Sequence, residues 1–234
     1  MDQRTTGLIL RTRPLTETSL IVHWLTPDLG RIATVAKGAR RPKSPFRGKL
    51  DLFYQADFSF VRSRRSELHL LREVSLRETY PWIRRELACL RQVAYCAALL
   101  EQTTQMDTPL PGFFALLAGL LKYVTQQPPQ PLTLFAFETK LLNESGLKPD
   151  FHAGNLTAGT RRFLETCLAA DWPALARLKP TERQIREMRQ FLEAFLIFHF
   201  DKIPKGRDAA THVPDCRPEK PASSGEVKNC LLNP

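Results

Sequence analysis

The first third of the chain contains five short segments with strand-like patterns and no room between them for helices. In GLILRTR, Leu8 and Leu10 fall on one face of a strand, and the apolar run SLIVHWLT precedes a turn, PDLG. The segments RIATVAKG, DLFYQADFSFV and SELHLLREVSL complete the set within residues 7–76. Strands this close in sequence can be joined only by hairpins and short loops, so the pattern predicts a small antiparallel barrel.

Beyond the strands, apolar residues recur every three or four positions, which is typical of amphipathic helices. One helix is predicted over 81–102 and two more, each opened by proline, over 111–124 and 131–146. Two short helices are expected near 160–178. Thr181 and Gln184 then fit a capping box for a last helix.

These patterns divide the chain into three parts. The strands predict a barrel domain over residues 1–80, and the helices predict an all-helical domain over 81–207, so the fold class is α+β. Residues 208–234 are rich in Pro, Lys and Ser, with too few apolar residues to offset the entropy of ordering. We therefore expect a disordered tail.

Positive charge is concentrated in the predicted barrel domain. The net charge is +10, and residues 1–80 hold 15 Lys and Arg against 8 Asp and Glu. No acidic residue lies between Asp28 and Asp51, a span that contains seven cations. A positive field of this kind attracts anionic partners, of which nucleic acid is the commonest. The alternative is a basic protein whose charge serves only solubility.

The densest cationic stretch is KGARRPKSPFRGK, residues 37–49. It is not a phosphate-binding P-loop, because counting from Gly38 puts Lys43 where the second glycine is required. Arg and Lys spaced by small residues and prolines instead predict a stiff loop that holds cations outward for phosphates. Phe46 could stack on a base or plug the end of the barrel, and the sequence leaves both open.

The sequence offers no set of residues for metal binding or catalysis. Cys89 and Cys96 are seven residues apart on one predicted helix, about 10 Å by helical rise, which is too far to share a metal ion. The five cysteines include no CxxC pair, and the five histidines are scattered. No acidic cluster suits two-metal nuclease chemistry. We expect no cofactor, no metal and no enzymatic activity.

The longest apolar runs, such as FLEAFLIFHF, are too short and too interrupted to span a membrane. The N-terminal MDQRTT leads directly into a strand-like segment, without the apolar core of a signal peptide. The odd cysteine count suggests no disulfide framework. A cytoplasmic location is expected.

The stretch GLILRTRPLTETSLIVHWLTPDLGRIATVAKGARRPKSPFRGKLDLFYQADFSF resembles the beginning of RecO, a family of bacterial recombination mediators. ELHLLREVSL, LTLFAFETKLLNESGLKPDF and RQFLEAFLIFHFDKIPKGRDA extend the resemblance over about residues 5–208. The resemblance implies an N-terminal OB-fold and a helical domain. It also implies binding of single- and double-stranded DNA, annealing of complementary strands, and action with RecR and single-strand-binding protein to help load RecA.

The predicted DNA-binding surface comprises cations of the barrel domain together with one aromatic residue. These residues are Arg11, Arg13, Arg31, Lys37, Arg40, Arg41, Lys43, Phe46, Arg47, Lys49, Arg62, Arg64 and Arg65. The acidic tail of single-strand-binding protein is expected to dock in the helical domain, in an apolar pocket beside Arg or Lys.

One departure from the family pattern lies after LKPDF, where many RecO proteins carry a four-cysteine zinc motif. Here HAGNLTAGTRRFLETC has only Cys167, so either the zinc motif has been lost, which we predict, or this region has taken another form. Two other classes of function stay open: a non-catalytic interaction module whose basic loop binds an acidic protein, and a nuclease that uses the same groove.

Overall fold

The computed structural model describes residues 2–152 and 156–212. Five strands come first and confirm the five predicted segments. They are β1 (Asp2–Pro14), β2 (Leu20–Thr26), β3 (Gly30–Ala36), β4 (Gln55–Val61) and β5 (Leu68–Glu78). β1 is longer than predicted because its first half pairs with β4 and its second half with β2.

The strands pair in the order β1-β2-β3-β5-β4, and β4 returns to β1, so they form a closed barrel. Four of the five neighbouring strand pairs are antiparallel, as predicted, but β3 and β5 pair in parallel through Ala33–Leu68 and Val35–Leu70. The reason is geometric. An odd number of strands cannot alternate in direction around a closed ring, so at least one neighbouring pair must be parallel.

Aromatic side chains fill the barrel. The rings of Trp24 and Phe58 stack with centroids 4.0 Å apart, and the indole N–H of Trp24 donates a hydrogen bond to the Thr34 hydroxyl at 2.8 Å. Phe60, Ile32 and other buried residues of all five strands complete this core. Burial of such side chains supplies the main stabilisation of a small barrel, and the paired indole N–H avoids a buried unsatisfied donor.

The rest of the described chain is helical. Its longer helices are α2 (Leu87–Thr103), α3 (Pro111–Val124), α4 (Pro131–Glu144), α5 (Ala158–Ala169) and α7 (Glu182–Phe200), with short helices α1 (Pro81–Arg85), α6 (Trp172–Leu175) and α8 (Arg207–Thr211). The predicted bounds of α3 are confirmed, and so is the capping box of Thr181 and Gln184 at the start of α7. Buried Cys89, Cys96 and Cys167 pack in the helical core.

The single helix predicted over residues 81–102 is interrupted. Glu86 has extended backbone angles, and its carboxylate accepts a hydrogen bond from the Ala88 N–H, so it ends α1 and caps α2. Arg84 explains the position of α1, since its guanidinium contacts Asp51 and the carbonyls of Leu52 and Thr79. Tertiary contacts therefore override a continuous helical pattern.

The predicted tail, residues 208–234, starts too early, because α8 continues to Thr211 and buries Ala210 and Thr211. Arg207 holds this helix: its guanidinium donates to both carboxylate oxygens of the fully buried Glu138, at 2.7 and 2.9 Å. The predicted disorder of residues 213–234 lies outside the described residues. The local composition does not predict α8, because the helix is held mainly by the ion pair of Arg207 with Glu138, which lies 69 residues earlier in the chain.

Within the described ranges, no helix combines the length and the apolar character that crossing a membrane requires.

Candidate nucleic-acid interface

Residues 37–49, called the basic loop below, fold as a succession of turns. Backbone N–H groups of Arg41, Ser44, Arg47 and Lys49 each donate to the carbonyl three residues earlier, at 3.0–3.2 Å. Gly38 has a φ of +69°, a left-handed conformation that glycine adopts without strain. The loop is therefore locally ordered although it contains no helix or strand.

The basic loop is also fastened to the β1–β2 hairpin. The Arg40 N–H donates to the Thr18 carbonyl at 2.9 Å, and the Gly38 N–H lies 3.4 Å from the Ser19 hydroxyl. The side chains of Lys37, Arg40, Arg41, Lys43 and Arg47 are exposed, and Lys49 is partly buried. None of these six cations forms an ion pair with any residue that the structure describes.

Phe46 packs inside the barrel and does not project from the basic loop. It is only 6% exposed and belongs to the buried cluster that contains Trp24 and Phe58. Burying a benzyl side chain in this apolar cluster is favourable, whereas turning it out to a base would leave a hole at the barrel end. Of the two possibilities that the sequence left open, the structure selects the plug.

Phe46 contributes to the lining of two grooves. The first, the loop groove, has a volume of about 400 Å³ and is lined by Arg40, Arg41 and Arg47. The second, the strand groove, has a volume of about 690 Å³ and is lined by Lys49 together with Arg4 and Arg72 of β1 and β5. Both grooves therefore expose cations and share one buried aromatic residue in their lining.

Arg4 and Arg72 were not predicted as site residues. Each is exposed, and each is isolated among neutral or acidic neighbours in sequence, so a search for charge runs passes over them. The strand register brings Arg4 and Arg72 near each other. Arg4 is opposite Ser59 of β4, and Ser59 is opposite Glu73, the neighbour of Arg72. That register is known only once the barrel closes.

Three predicted arginines connect the barrel to the helical domain. Arg11 pairs with Glu101 at 3.2 Å, and Arg62 pairs with Asp107 at 2.8 Å. The guanidinium of Arg31 donates to the Thr104 carbonyl, and the backbone carbonyl of Arg31 accepts a hydrogen bond from the Asp107 N–H. The charges of Arg11 and Arg62 are thus partly neutralised by residues of the helical domain.

The outer face of β1 to β3 carries a positive field around His23. A cavity of about 490 Å³ there is lined by His23, Arg11 and Arg31. Burial, and then the charges of Arg11, Arg13 and Arg31, lower the pKa of His23 to about 4. At neutral pH the imidazole is therefore uncharged, and the positive potential comes from the arginines.

The remaining predicted residues, Arg13, Arg64 and Arg65, are exposed. Arg64 and Arg65 lie between β4 and β5, and Arg13 lies near the end of β1, opposite Ile21 of β2. These cations lie outside the two grooves beside Phe46.

In the residues that the structure describes, no three His, Cys, Asp or Glu side chains are grouped as a metal-ligand set. Residues 153–155, which belong to the segment where the family carries its zinc motif, lie outside the described residues. The loss of the zinc motif therefore stays a prediction.

Two family models match the chain. The model described as "Recombination protein O N terminal" matches residues 1–80, and the model described as "Recombination protein O C terminal" matches residues 87–155. Together these two matches cover more than half of the chain, and both come from the same family.

Curated relatives agree with the family models. A DNA repair protein RecO from Bacillus pumilus is 30% identical over 220 residues, which are 89% of this chain and 85% of that protein. A DNA repair protein RecO from Rhodopirellula baltica is 36% identical over 143 residues, 61% of this chain and 53% of that protein. The chain thus matches about half the length of the second relative and most of the first.

Proposed function

Because this chain belongs to the RecO family of DNA repair and recombination proteins, we propose that it binds single- and double-stranded DNA through the basic loop and anneals complementary strands. The observation that carries the proposal is the set of exposed, locally ordered cations of that loop, without ion-pair partners among the described residues. Such cations are available to an external polyanion.

The barrel supports this proposal as the scaffold of the site. A closed five-stranded barrel with the order β1-β2-β3-β5-β4 fits the OB-fold, a common scaffold for binding single strands. We assign it to that class. In an OB-fold the connection from β3 to β4 covers one end of the barrel, and here the basic loop does so through Phe46. A rigid plug keeps the flanking cations at fixed positions.

Annealing follows from the chemistry of these contacts. Cations on phosphates lower the repulsion between two strands and carry no base information. Because Phe46 is buried, the loop offers no aromatic platform of its own to hold bases by stacking. The base edges of bound strands would then stay free to pair, which is what strand annealing requires.

The proposal extends to partners and to reaction class. We propose that the protein acts in the bacterial cytoplasm with RecR to help load RecA onto DNA coated with single-strand-binding protein. The acidic tail of that protein would dock in the helical domain, where a cavity of about 530 Å³ combines Lys148 with Phe151 and Leu168. No step in this function breaks or forms a covalent bond, so we propose that the protein is not an enzyme.

Replacing Arg40 and Arg41 together by glutamate tests the DNA-binding site. If five cations of the loop contact phosphates, the log–log salt slope for single-strand binding is about −3.5, at about 0.7 per contact. The double variant removes two contacts, so the slope is expected to become shallower by about 1.4. Fluorescence anisotropy of a labelled oligonucleotide across a salt series measures both slopes.

A matched control is Arg162→Glu with Arg186→Glu, which makes the same charge change at exposed positions on α5 and α7. It is expected to keep most of the slope of the unaltered protein. Salt-insensitive or absent binding by the unaltered protein would refute the DNA proposal and favour an acidic protein partner. Cleavage of labelled DNA with Mg²⁺ or Mn²⁺ that copurifies with the protein would overturn the non-enzymatic assignment.

A further inference from the structure

The strand groove has the size and composition of a second binding site. Its volume of about 690 Å³ is in the range of sites for small organic ligands and exceeds that of the loop groove, about 400 Å³. It runs between the end of the basic loop and the strands β1, β4 and β5. Its lining combines three cations with Phe46 and Phe58.

The charge balance of the strand groove favours an anion. Arg4, Lys49 and Arg72 line it, and none of them forms an ion pair with the described residues. One of its two carboxylates, Asp57, is already engaged by the Thr6 hydroxyl and by Arg77 at 2.6 Å. With Glu73 as the other carboxylate, the groove keeps a net positive charge.

Hydroxyl groups add neutral donors to the strand groove. Ser59 and Ser75 line it, and within the described residues neither hydroxyl takes part in a side-chain hydrogen bond. Hydroxyl donors between guanidinium groups are typical of surfaces that bind a sugar–phosphate backbone, because they bond phosphate oxygens without reading bases. The same donors would serve a protein partner poorly, since few protein surfaces present a regular row of anions.

We propose that the strand groove binds the phosphate backbone of a second DNA strand, while the loop groove binds the first, with Phe46 as the wall between them. The inference rests on the proposed function and adds Arg4 and Arg72 to the site. Two strands held in separate grooves that share Phe46 as a lining residue have their charges neutralised separately, so their bases can meet where the grooves adjoin. Annealing would therefore need both grooves, whereas binding of one strand would need only the loop groove.

The test compares three double variants. In the first, Arg4 and Arg72 are both replaced by glutamate; in the second, Arg40 and Arg41 are. The third is the control, in which Arg162 and Arg186 are replaced by glutamate. The probe is an oligothymidine of about eight nucleotides, a length suited to a single OB-fold site and unable to pair with itself. Titration at protein concentrations above Kd gives the number of oligonucleotides bound per chain. Annealing of two complementary fluorescent strands is followed by energy transfer.

The unaltered protein is expected to bind two oligothymidines, and the Arg4 and Arg72 variant only one. The annealing rate of that variant should fall about tenfold, which corresponds to the loss of two charge-assisted contacts. Arg4→Gln with Arg72→Gln, which retains polar side chains without charge, should give an intermediate annealing rate. Far-UV circular dichroism of every variant verifies that the barrel is folded, as expected for exposed positions.

Different results would overturn different claims. If the unaltered protein binds one oligothymidine and the Arg4 and Arg72 variant anneals normally, the second strand site is refuted while the proposed function stands. If the Arg4 and Arg72 variant loses all oligothymidine binding, the two grooves form one site and the inference is again refuted. If the unaltered protein binds no oligothymidine, the proposed function itself fails.

Discussion

Removing the guanidinium of Arg207 should destabilise the helical domain more than any surface substitution. Its Nε and Nη2 donate to the two oxygens of Glu138, whose side chain is fully buried. In the Arg207→Met variant the Tyr95 hydroxyl, 2.7 Å from Glu138, is the main remaining donor to that carboxylate. Leaving one partner of a buried ion pair without its counter-charge costs about 3–5 kcal/mol.

A loss of that size is a large part of the about 5–15 kcal/mol by which domains are usually stable. Urea unfolding followed by far-UV circular dichroism at pH 7 measures it as a lower midpoint with the slope unchanged. The matched control is Asp208→Ala on the same helix. It removes an exposed pair with Arg189, and exposed pairs contribute about 0–1 kcal/mol.

A double variant separates the pair from the packing of α8. In Glu138→Gln with Arg207→Met the buried charge is gone, and the glutamine oxygen can still accept from Tyr95. Because a buried neutral amide costs much less to desolvate than an unpaired carboxylate, the double variant should recover most of the stability lost by Arg207→Met alone. If Arg207→Met costs no more than Asp208→Ala, the pair does not anchor α8 and the reasoning is refuted.

Two further predictions concern the barrel. Phe46→Ala should lower the free energy of unfolding by about 3–5 kcal/mol, because that is the usual cost of emptying a buried phenylalanine site. Urea unfolding measures this loss. Unchanged stability together with weaker DNA binding would show instead that the ring stacks on bases. His23, with its pKa lowered to about 4, should stay neutral in NMR titration down to that pH. In the unfolded chain His23 is protonated below about pH 6.5, whereas in the folded protein it is protonated only below about pH 4. The free energy of unfolding should therefore decrease as pH falls from about 6.5 to 4. The His23→Gln variant should lack this part of the pH dependence. An ordinary His23 titration near pH 6.5 would contradict both the burial of the imidazole and the effect of the neighbouring arginines on its pKa.

Local patterns in the sequence were sufficient to locate most elements but not to pair them. Proline at the first position of α3 and the Thr181–Gln184 capping box mark helix starts that depend on neighbouring residues alone. The parallel pairing of β3 with β5 depends on closure of the ring, and no local pattern records it. It could still have been deduced, because five strands and a closed barrel already require one parallel pair.

The candidate site shows the same division between local and distant information. The density of cations in the basic loop is a local property, and the exposure of that loop agrees with it. What each cation does depends on partners far along the chain: Arg11, Arg31 and Arg62 meet Glu101, Thr104 and Asp107, which lie 45–90 residues away. The ion pair of Arg62 with Asp107 is an example: a run of positive charges in the sequence does not show which cations have a counter-ion in the folded protein.

The distinction between paired and unpaired arginines bears directly on mechanism. A phosphate that approached Arg11 or Arg62 would have to compete with Glu101 or Asp107 for the same guanidinium, whereas one that approached Arg40 or Arg41 would displace only water and counterions. Release of counterions is the source of salt-dependent affinity, so the unpaired cations should carry most of the salt slope. The paired arginines fasten the barrel to the helical domain, and DNA that engaged them would have to weaken that junction.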